Sequence, residues 1–214
     1  MDHRHNPQRF FIRRVGHEVL PRVGEAQGSR GQVGAAVALL EAHLKKPLGP
    51  EEAEMTADAI AFIGRHPDCL LRSCAPGHLT GSAWVLNPER TRTLLTLHRK
   101  LGRWLNPGGH ADGDPDLPAV GLREAREESG LPGVRLVSRE ILDFDRHWIP
   151  ERPGVPGHYH YDFRFCCEAD DREPLQISEE SVDLAWVDVR EVLGLSPSDS
   201  MRRLVAKSGG SCAL

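Results

Sequence analysis

The chain has 214 residues, 39% of them apolar and 27% charged, with a formal net charge of −4. That length supports one globular domain with extensions, and a core large enough to need no disulfide or metal staple. Mild acidity argues against an electrostatic nucleic-acid binder, and no apolar run reaches the roughly 20 residues a membrane-spanning helix requires. The five cysteines (Cys69, Cys74, Cys166, Cys167 and Cys212) are odd in number and form no CxxC pair. They point to free thiols in a reducing cytoplasm rather than to a disulfide framework or a cysteine zinc site.

Residues 1–31 carry proline, glycine and charge without apolar periodicity, which predicts an unstructured leader. From Gln32 to Lys46, Val33, Val37, Leu40 and Leu44 recur at helical spacing. The stretch PLGP interrupts them, and Glu51–Arg65 then predicts a second helix with acids in its first turn, where the helix dipole favours them. These segments form a helical preface, residues 32–70, to a main domain at 71–207, with a flexible tail at 208–214.

Strands are predicted next. Residues 79–86 and 92–99 flank the turn-like NPE, and 134–144, 158–167 and 183–189 follow. Asp188 is expected to open a short helix through Leu193, and Ser196 to cap a last helix with Pro197 at its first position. Strands and helices mixed without regular alternation predict an α/β fold (α+β, mixed) with a mixed sheet covered by helices.

The informative stretch is PGGHADGDPDLPAVGLREAREESGL, residues 107–131. Asp116 can cap a helix with Pro118 in its first turn, and Gly130 and Pro132 can end it, which predicts a helix over Leu117–Ser129. At about 100° per residue, Glu124, Glu127 and Glu128 fall on one arc, with Arg123 beside them. Acids so placed, with no lysine four residues on, repel one another unless a cation sits among them. A hard divalent ion suits such oxygen ligands, and Gly108-Gly109 lets backbone approach it closely. A solvated acidic helix face is the alternative reading of the same spacing.

Counted in register from Gly109, this stretch resembles the Nudix box. Arg123, Glu124, Glu127, Glu128, Gly130 and Leu131 occupy the box's expected positions, with the small Ala125 at the aliphatic one. One position departs: Pro115 stands where the box has its first glutamate, and Asp114 or Asp116 is the candidate substitute. The HADGD run also resembles a bacterial Nudix subgroup with an aspartate-bearing loop.

The resemblance implies an α/β/α sandwich with a mixed sheet, here with an N-terminal helical extension. It further implies a Mg²⁺-dependent pyrophosphohydrolase, with Mn²⁺ as an alternative ion, acting on a nucleoside diphosphate linked to another group. Glu124, Glu127 and Glu128 would hold the metal with the Gly108 carbonyl. Glu124, Glu127 and Arg123 would be catalytic, and Glu179 or Glu180 is a further candidate base. The partner is a small-molecule diphosphate, and a homodimer is one assembly open to the chain.

Arg99, Lys100 and Arg103 precede the box and could bind phosphate oxygens. On the 158–165 strand, His158, His160, Asp162 and Arg164 share one face, with aromatic residues on the other. His158, His160 and Arg164 are therefore expected to bind substrate, with a cross-strand polar network as the competing reading. Two alternatives share the fold. An isopentenyl-diphosphate isomerase uses histidine-rich metal ligation but calls for a cysteine near the glycine loop, which LNPGGHAD lacks. A non-catalytic ligand sensor commonly loses the box glutamates, which are intact here. The box does not name the substrate, because specificity comes from loops and the helical preface.

Overall fold

The structure, a computed structural model, describes residues 23–178, 181–209 and 212, with side chains from residue 31 onward. Residues 1–22 of the expected leader, most of the tail, and Glu179 and Glu180 lie outside the described residues. The elements run α1 (Val23–His43), α2 (Pro50–Arg65), β1 (Gly77–Leu86), β2 (Arg92–His98), β3 (Arg103–Leu105), β4 (Gly108–His110), α3 (Leu117–Ser129), β5 (Arg135–Ile149), β6 (His158–Glu168), β7 (Ser181–Asp188), α4 (Val192–Leu195) and α5 (Asp199–Lys207).

The strands make one mixed sheet in the order β3-β2-β1-β6-β5, with β4 added on β1 and β7 on β2. Strand β1 runs parallel to β6 over its whole length and antiparallel to β4. Alternation along β1 sorts the layers. Leu79 joins Phe163 and Phe165 under Leu40, Phe62 and Ile63 of the first two helices, and Ala83 and Val85 lie with Ala125 of α3. Trp84 and Leu86 point the other way, into Val192, Met201 and Leu204 of α4 and α5. The helical preface thus shares a core with the sheet. Phe62 of α2 stacks on Tyr161 of β6 with centroids 4.2 Å apart.

The polar half of β6 is a buried ionic network. Arg164 donates through Nε to Asp162 (2.9 Å), through Nη1 to Asp143 (3.3 Å) and Ser200 (2.6 Å), and through Nη2 to Asp145 (3.3 Å). Thr80 and Ser82 donate to the same Asp162 carboxylate. From α5, Arg203 donates to Asp143 at 3.0 Å and Asp145 at 2.6 Å, and Lys207 bridges Asp143 at 2.7 Å and Glu52 of α2 at 2.6 Å. Glu52 also meets His43 Nε2 at 2.8 Å and accepts the Phe144 N–H at 3.1 Å. Burial opposes the Glu52 charge, but the His43 and Lys207 hydrogen bonds outweigh it and hold the carboxyl at about 2. Lys46 donates to the Ile141 carbonyl, also on β5, at 2.8 Å.

Three expectations are corrected. Helix α1 begins at Val23, upstream of Gln32, and closes at His43 rather than Lys46. Asp188 does not open a helix; it ends β7 and accepts the Arg190 N–H at 2.9 Å, and the helical turn starts at Val192. Ser196 caps nothing N-terminal. It closes α4 outside the helical region (φ −139°, ψ 79°), and Ser198 caps α5 by accepting the Met201 N–H.

Candidate active site

Helix α3 starts and stops where its sequence dictates. The Asp116 side chain accepts the Ala119 N–H at 3.1 Å, and Gly130 takes the left-handed conformation (φ 68°) that ends the helix. The helix lies hard against β1, because a Cβ at Gly121 would strike the Ser82 carbonyl. This close seat brings the acidic arc over β4. Glu128 is buried and accepts the Gly108 N–H at 2.8 Å. A Cβ at Gly109 would collide with the Glu124 carboxylate, so glycine is what lets that acid approach the strand. Glu127 stands exposed on the same helix.

Arg123 is the positive group among these acids. Its Nη2 donates to Glu124 at 3.2 Å and to the His110 carbonyl at 3.4 Å, and its Nη1 lies 3.5 Å from Asp114. Asp114 therefore supplies the carboxylate partner for the arginine that Pro115 cannot. Asp116 is engaged elsewhere, capping α3 and accepting from Arg139 at 2.6 Å.

The structure gathers Gly108, Arg123, Glu124 and Glu128 at one place, with Glu127 exposed on the same helix. It does not bring every expected substrate-binding residue there. Lys100 in the β2–β3 turn and Arg103 at the start of β3 are exposed, and Arg99 donates to the Ser181 carbonyl at 2.7 Å. Arg164 is buried, with all three guanidinium nitrogens held by Asp143, Asp145, Asp162 and Ser200. The expectation that it faces substrate gives way to the network reading.

His158 and His160 enter a histidine cluster that the sequence reading did not anticipate. Register pairs His160 with His78 across β1–β6 and with His147 across β5–β6, while β4 sets His110 opposite Thr80. Ring centroids lie 4.7 Å apart for His78–His158, 4.8 Å for His78–His160, and 4.9 Å for His110 to each of His78 and His160. Burial disfavours the imidazolium and is joined by neighbouring positive groups. His78 and His110 are each lowered to about 4, and His160, crowded by His147 and His110, to about 2. These three rings are neutral at pH 7. The only signal in sequence was the alternation of His158 and His160; the other members come from separate segments.

A family model described as the NUDIX domain matches residues 78–207, more than half of the chain. Among solved structures, the chain is similar to a C. elegans Ap4A hydrolase binary complex at 16% identity. That match covers 60% of this chain and 93% of the other, with a TM-score of 0.49. It is also similar to the E. coli dihydroneopterin triphosphate pyrophosphohydrolase (17% identity, 60% and 92% covered, TM-score 0.47). A third is the NUDIX domain of Shewanella oneidensis NrtR complexed with ADP ribose (17% identity, 63% and 88% covered, TM-score 0.46). Comparison with curated proteins finds no match.

Proposed function

The chain belongs to the Nudix family, hydrolases acting on diphosphate bonds, and from that premise we propose that it cleaves a nucleoside diphosphate linked to another group, with Mg²⁺ as cofactor. The observation that carries this is the convergence of Glu124 and Glu128 on the Gly108-Gly109 strand, one through a glycine gap and the other through the Gly108 N–H.

The donor set fits the ion. Carboxylate oxygens from one rigid helix, next to a backbone strand, are the hard ligands Mg²⁺ and Mn²⁺ prefer. Glu124, Glu127 and Glu128 would hold it with the Gly108 carbonyl. When bound, the ion neutralises diphosphate charge and supplies Lewis acidity. The chain's residues supply the rest. Glu128 is fixed by its hydrogen bond to β4, so it arrives pre-oriented. Arg123, held by Asp114, fixes Glu124 and keeps like charges tolerable at close range. Glu127, exposed and uncommitted to β4, is suited to take a proton from the attacking water, with Glu124 as the second candidate. Histidines neutral at pH 7 beside β4 can donate to phosphate oxygens without adding charge. Five free cysteines support a reducing, cytoplasmic location.

The test is a panel of nucleoside triphosphates, ADP-ribose, NADH, dinucleoside polyphosphates and capped nucleotides, assayed with Mg²⁺ and read by product mass. Metal-dependent cleavage of at least one member is expected. No cleavage by well-folded protein would transfer the chain to the non-catalytic sensor reading.

A further inference from the structure

We propose that His78, His158 and His160 form a binding site for a borderline transition-metal ion of the zinc class, chemically distinct from the carboxylate site on α3. One ligand atom from each lies within 4.8 Å of the others. A zinc ion bound at about 2.0–2.1 Å needs its nitrogens about 3.4 Å apart, so a small inward rotation of the rings closes the site. Imidazole nitrogen is the ligand of zinc, nickel, cobalt and copper, whereas carboxylate and carbonyl oxygen suit magnesium and manganese. The two neighbouring sites therefore sort ions by softness.

Hydrogen bonding supports a ligand rather than plain packing. His158 Nδ1 lies 2.8 Å from the Pro156 carbonyl. A carbonyl only accepts, so Nδ1 carries the proton and Nε2 keeps its lone pair, the arrangement that outer partners impose on metal-bound histidines. His78 is 4% exposed and its ring meets the Cys74 carbonyl too loosely for a full hydrogen bond, and the buried Nε2 of His160 has no hydrogen-bond partner among the described residues. Buried polar atoms are rarely left so. An ion among the three rings would take up one nitrogen of His78 together with Nε2 of His160. The backbone would pay little for it: β1 and β6 are register-locked at His78 and His160, so two ligands stand on paired strands before any ion arrives.

The experiment uses the full chain, stripped of metal and then titrated with Zn²⁺ against a chromophoric chelator. One Zn²⁺ per chain should bind and should still bind in the Glu127→Gln/Glu128→Gln variant. His160→Gln should weaken it by more than about 100-fold, exceeding the 10–100-fold typical of losing an outer partner alone. Cadmium-113 NMR on the unsubstituted chain reads ligand chemistry directly and does not depend on any variant folding. A resonance from nitrogen-rich ligation supports the site. A resonance from oxygen ligands alone overturns it, as does Zn²⁺ binding that the glutamine pair abolishes or that a folded His160→Gln leaves unchanged.

Discussion

Replacing Glu52 with alanine measures how firmly the helical preface is bound into the domain. The side chain is 2% exposed and meets His43 Nε2, Lys207 Nζ and the Phe144 N–H. Lys207 keeps Asp143 at 2.7 Å after the change, but His43, whose Nδ1 already lacks a partner, and the Phe144 N–H lose theirs. Two stranded buried groups at about 1–3 kcal/mol each agree with the 3–5 kcal/mol typical of breaking a buried ion pair. For a chain of this size that lowers the melting temperature by about 6–20 °C. The carboxyl titrates near 2 in the fold against its ordinary 4.5. Its contribution is therefore complete above about pH 4.5 and is lost as pH falls toward 2. Urea titrations from pH 7 down to 3 should show wild type losing stability more steeply than Glu52→Ala as the pH drops, while turnover of folded variant at pH 7 stays near wild type. A loss under about 1 kcal/mol at pH 7 would refute the network's role, since that is an ordinary substitution's cost.

Glu128→Gln should retain the hydrogen bond from Gly108 and its melting temperature, yet lose turnover by about 100-fold or more, as befits a group acting on developing charge. Glu127→Gln should behave alike in the same assay, and the exposed Glu54→Gln should do nothing. Asp114→Ala removes a half-exposed partner of Arg123, so stability should move by less than about 1 kcal/mol and turnover by roughly fivefold at most. Loss beyond that would mean Asp114 touches the reaction itself. Chelation should abolish hydrolysis, and Mg²⁺ should restore it; turnover persisting in excess chelator would remove the metal from the proposal.

Helix α3 was legible because its signals are local. Asp116 caps a residue three positions on, and Gly130 serves its own turn. The strand pattern was legible for the same reason, although three-residue β3 and β4 are too short to leave a periodicity. What escaped the sequence depends on pairs far apart in the chain. Arg164 reads as one member of a polar row until β5 sets Asp143 and Asp145 beside it, and His160 gains His78 and His147 through two registers at once. That Ser198 and not the expected Ser196 caps α5 turned on a preceding helical turn ending at Ser196, which no local motif announces.

Strand β5 stands at the end of the strand order, where unpaired amides and carbonyls would invite another chain to add itself. Here Lys46 takes the Ile141 carbonyl, Glu52 takes the Phe144 amide, and Arg203 reaches the Phe144 carbonyl at 3.4 Å. Charged side chains so occupy rungs that an incoming strand would need, and a peptide seeking to extend the sheet meets ammonium, carboxylate and guanidinium groups instead of a bare ladder. The α1–α2 segment and α5 therefore guard against fibrillar growth as well as cover a core, and their loss would open a path to aggregation even where the remaining domain stayed folded.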